Sequence, residues 1–468
     1  MKKILVIICF VFVSQNFHSQ DLWGMTFGGG ANNMGVLFHY DASTNIYTTK
    51  IDFDGLTTGS YPMGSLMQAS DGMLYGMTNS GGNNDKGVIF QYNPNTNLLI
   101  KKIDFDGTLS GAYPLGYLTE AIDGKLYGMT SEGGANNFGV LFQYDQTNNI
   151  ISKKIDFAGI TNGKTPYGSL LQASDGNLYG MTWEGGTNNY GVLFQYNPIT
   201  NVFINKIDCS GVINGRNPTG SLIQASDGNI YGMTLNGGGA AKGDIFKYDF
   251  NIYLKLYEFS ILSQIGCWPA GSLIQAQDGK LYGMNQQYGA NNMGVLFQYD
   301  FVNNIYITKL NFAGVSNGSN PTGSLFQSSN GKIYGMTFSG GVNNKGVLFE
   351  FNPINNSYTK KIDFNGVNGA SPYYTNIIET NVITNISKKD KLFDFSLYPN
   401  PNNGSFTIDI KTKSHVVITN TLGESIFNRS LEIGKQNLSI QSQTDGIYFV
   451  KITDDKGLSS TKKIVVQK

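Results

Sequence analysis

Apolar residues in this chain fall into short runs set apart by glycine, asparagine and aspartate. The stretch Leu178–Tyr196 shows the pattern, with LYGMT, a Gly- and Asn-rich break, then GVLFQY. Near-copies recur, with the aromatic of an aromatic-Gly-Met triplet at Trp23, Tyr75, Tyr127, Tyr179, Tyr231, Tyr282 and Tyr334. Successive spacings are 52, 52, 52, 52, 51 and 52 residues, so one supersecondary unit is repeated seven times. Four strands are predicted per unit. Around Tyr179 they are A (Gly168–Ala173), B (Leu178–Thr182), C (Gly191–Tyr196) and D (Phe203–Cys209). Asp175-Gly176 reads as a type I′ turn between A and B, and Asn197-Pro198 separates C from D.

Strand C is apolar at consecutive positions (Val192, Leu193, Phe194), as expected for a strand covered on both faces. One four-stranded sheet cannot cover both its faces. Seven packed around an axis can, which predicts an all-β, seven-bladed β-propeller. The first copy starts at strand B (Leu22–Thr26) with no strand A before it. The last is followed by Pro372–Thr380, which matches strand A but leads to no strand B. Pairing these two segments would complete the first blade and remove an open sheet edge. A stacked solenoid, the competing architecture, needs caps and no such complement. Copy five departs from the rest. Its C–D hairpin is two residues shorter, Ala240-Ala241 replaces Asn-Asn, and the loop that follows carries Ile265, Cys267 and Trp268. A local difference is expected there.

The recurring elements are Asp175-Gly176, Leu178-Tyr179-Gly180, Gly185-Gly186 and Gly191-Val192-Leu193-Phe194. They resemble the GloVer tandem repeat over roughly residues 22–380, with Met181-Thr182 where Thr-Thr is more usual. The resemblance implies the propeller fold and no established activity.

Residues 1–20 carry two lysines, an apolar run from Ile4 to Val13 and a polar end, the layout of a signal peptide. Residues 21–380 hold the array, and 381–392 read as a linker. Residues 393–468 form short alternating strands, Phe406–Ile410, Val416–Thr419, Gln436–Ile440, Ile447–Thr453 and Ser460–Val466, as in a small β-sandwich. Tyr398-Pro399-Asn400-Pro401 with Gly404, Gly446-Ile447-Tyr448-Phe449-Val450-Lys451 and the closing Lys462-Lys463-Ile464-Val465-Val466 resemble the type A C-terminal sorting domain of type IX secretion. That resemblance implies the type IX machinery as a partner, and release or attachment at the outer cell surface by way of the periplasm.

Charge narrows the choice of partner. Thirty-three basic and 33 acidic residues cancel, which argues against nucleic-acid binding. No apolar run after the leader is long enough to span a bilayer, and a monomer is expected. Cys209 fills a slot that holds Phe157 or Phe312 in other copies, so it reads as a small core residue, with a bridge to Cys267 as the alternative.

In a four-stranded meander the B–C and D–A loops share one face, and here they are the longer ones, so binding is expected there. Phe27, Trp183 and Phe338 follow strand B; Phe138 and Tyr190 precede strand C. Flat rings flanked by Asn and Gly amides suit sugars. Trp183, Glu184, Tyr190 and Arg216 form the most distinctive group. Strand A repeats Gln68, Gln172, Gln224, Gln275 and Gln327, with Glu120 and Glu379 in the same slot. These residues either ring the axis as an ion site or satisfy neighbouring backbone groups. His39 is the propeller's only histidine, so zinc clusters and Ser-His or Cys-His pairs lack their parts. No metal, cofactor or catalytic group is expected. The expected function is non-catalytic binding of a glycan or a surface protein. A lyase using Tyr190 and Arg216 with an acid is the alternative, and a structural spacer in a surface layer is the third reading.

Overall fold

The computed structural model describes residues 20–261, 265–380, 395–410, 412–420, 424–454 and 459–468. The leader expected at residues 1–20, apart from Gln20, and the linker expected at 381–392 lie outside the described residues. The chain divides into two compact units, 1–382 and 383–468.

The first unit contains seven antiparallel sheets, each built on an A-B-C-D order. Blade 4 comprises Leu171–Gln172, Leu178–Met181, Val192–Tyr196 and Phe203–Asp208. Blade 1 is closed as expected from the two ends of the array. Leu22 pairs with Glu379 and Trp23 with Ile378, so Ile378–Glu379 is the inner strand of the blade that begins at Asp21.

The repeat motif follows from packing between sheets. Leu178, Val192, Phe194 and Tyr196 face blade 3 in one cluster with Tyr127, Met129, Leu141 and Phe157. Tyr179, Met181 and Leu193 face blade 5 with Leu222, Ile230, Phe246 and Tyr248. Adjacent residues of one strand therefore serve two different cores, which explains the unbroken apolar run of strand C. The glycine of strand B makes room for the phenylalanine of strand C: a Cβ on Gly180 would lie 2.5 Å from the Phe194 ring. Buried tyrosines keep a partner for their hydroxyls. Tyr179 donates to Asp175 Oδ2 at 2.9 Å and Tyr196 to Asn201 Oδ1 at 2.8 Å.

Two local expectations change. In the A–B turn only Gly176 takes positive φ (82°), whereas a type I′ turn needs it at both central residues. Asp175 works through its carboxylate instead, accepting the Asn177 amide at 3.0 Å. Strand A is also shorter than predicted, two residues in most blades, because its first half turns to the neighbouring blade. The Ser169 amide donates to Ser221 Oγ at 2.8 Å, and the Ser221 amide to Ser272 Oγ at 2.7 Å.

The irregularity expected at blade 5 falls on the next sheet, because the loop after copy five pairs there. Cys267–Pro269 adds a short strand beside Leu281–Gln287, making that sheet five-stranded. Cys209 and Cys267 are both buried free thiols, and burial pushes each up to about 12. The second unit is a sandwich of a three-stranded and a four-stranded sheet around Phe406, Ile408, Val416, Ile418, Val450, Ile452 and Ile464. It gains two strands the sequence did not signal, Ser396–Tyr398 and Ser425–Leu431.

Asp244 stands where other copies have valine (Val192, Val295), is fully buried, and has no partner for Oδ1. Burial pushes its carboxyl up to about 7, with Lys255 opposing. An unfolded Asp titrates near ~4. A folded pKa above the unfolded one gives stability that is present at low pH and lost as pH rises from roughly 4 to 7, with a ceiling of about 4 kcal/mol. Asp244→Val is therefore expected to raise Tm, with a larger gain at about pH 8 than at about pH 4. Thermal unfolding at both values checks this, and an equal gain would mean the carboxylate is compensated.

Candidate functional site

The loop face is a belt of interlocked loops. At each junction the D–A loop of one blade pairs with the B–C loop of the next. Lys164 and Glu184 exchange backbone hydrogen bonds at 2.8 and 3.2 Å, and the Trp183 amide donates to Thr165 O at 3.0 Å. Equivalent bridges join Ser60 to Ser80, Ala112 to Glu132, Arg216 to Asn236 and Ser319 to Ser339. Gly185 is required here: its φ is 89°, and a Cβ would lie 2.5 Å from Gly159 O. The asparagines that sequence reading offered to sugar hydroxyls hold this belt together. Asn188 Nδ2 donates to Cys209 O at 3.1 Å, and Asn189 Oδ1 accepts the Gly185 amide at 3.2 Å.

An aromatic arc crosses this face. Ring centroids run from Tyr61 to Phe27 (5.1 Å), Phe27 to Tyr373 (6.1 Å) and Tyr373 to Tyr374 (4.3 Å). They continue from Tyr374 to Tyr167 (6.3 Å) and Tyr167 to Trp183 (5.1 Å), with Phe338 beside Tyr373 at 5.3 Å. The structure thus joins Phe27, Trp183 and Phe338. It adds Tyr61, Tyr167, Tyr373 and Tyr374, which sequence reading missed. Their signal was present, since they flank the loop prolines Pro62, Pro166 and Pro372 where blade 5 has Thr219-Gly220.

Four aromatics of this face, Tyr61, Tyr113, Trp268 and Tyr374, have φ between 55° and 59°. Bulky side chains are uncommon in that left-handed region, and the strain is of order ~1 kcal/mol or more each. Burial also pushes the phenols of Tyr167 and Tyr374 above their ordinary range.

The other expected site residues form separate pairs. Phe138 lies under Lys164 Nζ at 5.5 Å, and Lys164 pairs with Glu184 at 2.9 Å. Arg216 lies over Tyr190 at 5.6 Å. Glu184 and Arg216, grouped by sequence, face different junctions of blade 4, and among the described residues no carboxylate pairs with Arg216, as the lyase reading requires. Among the described residues no group of three His, Cys, Asp or Glu is placed to hold a metal ion.

The axis carries no ion ring of glutamines. Gln172, Gln224, Gln275 and Gln327 each accept an amide from the preceding blade's A–B turn at 2.7–2.8 Å. Glu120 and Glu379 do the same for Ser70 and Ser329. Glycines 64, 116, 168, 220, 271 and 323 stand at the axis itself, and Tyr374 replaces the glycine in the closing copy. With Tyr117, it leaves a cavity of about 20 Å³, room for about one water.

The family model described as the Gloeobacter/Verrucomicrobia repeat matches residues 13–161, 121–263 and 208–386. The chain belongs to this repeat family. Residues 396–467 match the secretion system C-terminal sorting domain, so this repeat protein is directed to the cell surface by type IX secretion. A comparison with curated proteins returns no match.

Among solved structures, the repeat protein is similar to the periplasmic gluconolactonase PpgL of Pseudomonas aeruginosa, with 17% identity and TM-score 0.53 over 77% of this chain and 99% of that one. It is also similar to a putative 6-phosphogluconolactonase of Bacteroides uniformis, with 14% identity and TM-score 0.52 over 73% and 95%. These likenesses show the propeller fold alone. PorZ, a surface component of the type IX system of Porphyromonas gingivalis, matches at 12% identity and TM-score 0.43 over 97% of this chain and 59% of its own. No helix among the described residues is long and apolar enough to cross a membrane.

Tyr374→Gly restores the repeat's own residue. Relief of positive φ gains about 1 kcal/mol, while losing a large buried ring costs about 3–5 kcal/mol. A net loss is therefore expected in chemical denaturation, and unchanged stability would show that the ring is not packed at the axis. Deleting residues 393–468 is expected to leave the propeller in the periplasm, as read by cell fractionation. Surface delivery without the tail would refute the sorting role.

Proposed function

We propose that the propeller is a non-catalytic binding module displayed at the cell surface, and that its loop face takes a glycan. The observation that carries this is the aromatic arc from Tyr61 to Trp183. Half-buried rings in contact with one another form a platform on which the apolar faces of successive sugar units can stack. The welded belt suits binding too, because little loop ordering remains to oppose it.

A protein partner is the second reading. The tips of the D–A loops present exposed aliphatics, Leu56, Leu109, Ile160, Ile213, Val315 and Val367, between 60% and 80% accessible. A recurring apolar crown on one face suits a partner surface better than water.

The test is a glycan array and a surface-protein pull-down with the secreted chain, using wild type, Trp183→Ala and Tyr167→Ala. Loss of one stacking ring is expected to weaken a glycan hit by about tenfold, near ~1.4 kcal/mol. Absence of any glycan hit, or hits that both variants retain at full strength, would remove the glycan reading.

A further inference from the structure

Arg216 is one of two arginines in the chain, the other being Arg429 in the tail. Of the loop-face lysines, Lys242 lies over Trp268 at 4.1 Å and Tyr288 at 5.6 Å, and two others have polar partners. Lys164 pairs with Glu184 at 2.9 Å, and Lys86 Nζ donates to Asp106 O at 3.1 Å. On the D strands Lys101 pairs with Asp104, Lys153 with Asp156 and Lys255 with Glu258. Arg216 has no ion pair or side-chain hydrogen bond among the described residues, and its Nε is shielded from solvent without a partner.

The repeat shows what is missing. Arg216 occupies the slot of Lys164. Lys164 bridges to Glu184, which supplies its carboxylate, whereas Arg216 bridges to Asn236, an amide. The cation is kept and the internal anion is gone. Asp208, at the end of the same blade's D strand, is taken up by Asn205 at 2.9 Å and Thr187 at 3.2 Å.

The guanidinium is nonetheless held in place. It lies over the Tyr190 ring at 5.6 Å. The next residue, Asn217, donates its amide to Tyr190 O at 2.8 Å and its side chain to Trp183 O at 3.0 Å. A partly desolvated cation therefore stands over Tyr190, and the residue after it, Asn217, ties its loop to the Trp183 backbone. A guanidinium offers paired donors that match a carboxylate or phosphate, and desolvation strengthens such a contact.

We propose that Arg216 binds an oxyanion carried by the saccharide, so that the loop face selects acidic sugars, uronate or phosphorylated, over neutral ones. This deepens the glycan reading and rests on it. Sugar units of the saccharide would stack on Trp183 and Tyr167, and an anionic substituent on the chain would complete at Arg216 the pair that Glu184 completes for Lys164.

Calorimetric titration of the full secreted chain tests this with matched probes. The first pair is galacturonate oligomers as free acid and as methyl ester. The second is phosphorylated mannan oligosaccharide before and after phosphatase treatment. Wild type is expected to bind the charged member of at least one pair about tenfold more tightly than the neutral one. Which pair responds tells a carboxylate from a phosphate. Arg216→Gln should bind both members of that pair alike, and Arg216→Lys should retain part of the preference. Trp183→Ala should weaken both members equally and leave the preference intact. A thermal melt of each variant confirms that it is folded.

If charged and neutral saccharides bind wild type equally, or the preference survives in folded Arg216→Gln, the proposal is overturned and the glycan reading stands. If no saccharide of either pair binds, the proposal falls. A glycan array that also returns no hit then takes the glycan reading with it.

Discussion

Blades approach the axis as closely as they do because hydrogen is the side chain there. The carbonyl of each axial residue sits where its neighbour's Cβ would be, 2.3 Å for Gly220 against Gly271 and 2.1 Å for Gly271 against Gly323. Neither glycine needs a left-handed backbone, so the demand is purely one of space. That approach lets one blade's serine hydroxyl accept its neighbour's amide, and lets strand A be short. It also sets how far apart the sheets lie at the centre, and so how Phe194 and Leu193 can fill opposite cores. Larger axial side chains survive only as plugs, at Tyr374 and Tyr117.

The fold was legible because repetition multiplied a weak signal. A single LYGMT run could be any strand, but seven in phase fix a period, and the unmatched strand A at Pro372–Thr380 fixes the closure. Asp175-Gly176 misled on turn type because Asp can cap a turn without positive φ. The site was legible only in part. Phe27, Trp183 and Phe338 were visible as aromatics in one repeat slot. Their joining required Tyr373 and Tyr374, which come after the last copy and reach the middle of the face only when the ring closes. The pairing of Glu184 with Lys164 rather than Arg216 was hidden for a related reason. Neighbours in sequence across a B–C loop face different blades, and only the bridge between adjacent loops decides which cation an acid meets. Asn188 and Asn189 looked free as sequence but are consumed by the belt.

The same belt explains why variation can be tolerated on this face. Backbone bridges at the junctions carry the geometry, so slots such as 164 and 216 can change from Ser60 or Ala112 to Lys or Arg without moving the loops. Asp244 shows the opposite case, a polar group in a slot that packing reserves for valine.

The first blade takes its inner strand from the far end of the array, with the Thr380 amide donating to Asp21 O at 3.1 Å. A chain whose closing segment has not yet arrived therefore lacks the inner strand of its first blade. Closure acts as a completeness check: a truncated copy leaves the Leu22–Thr26 edge bare, and only a full-length one is sealed.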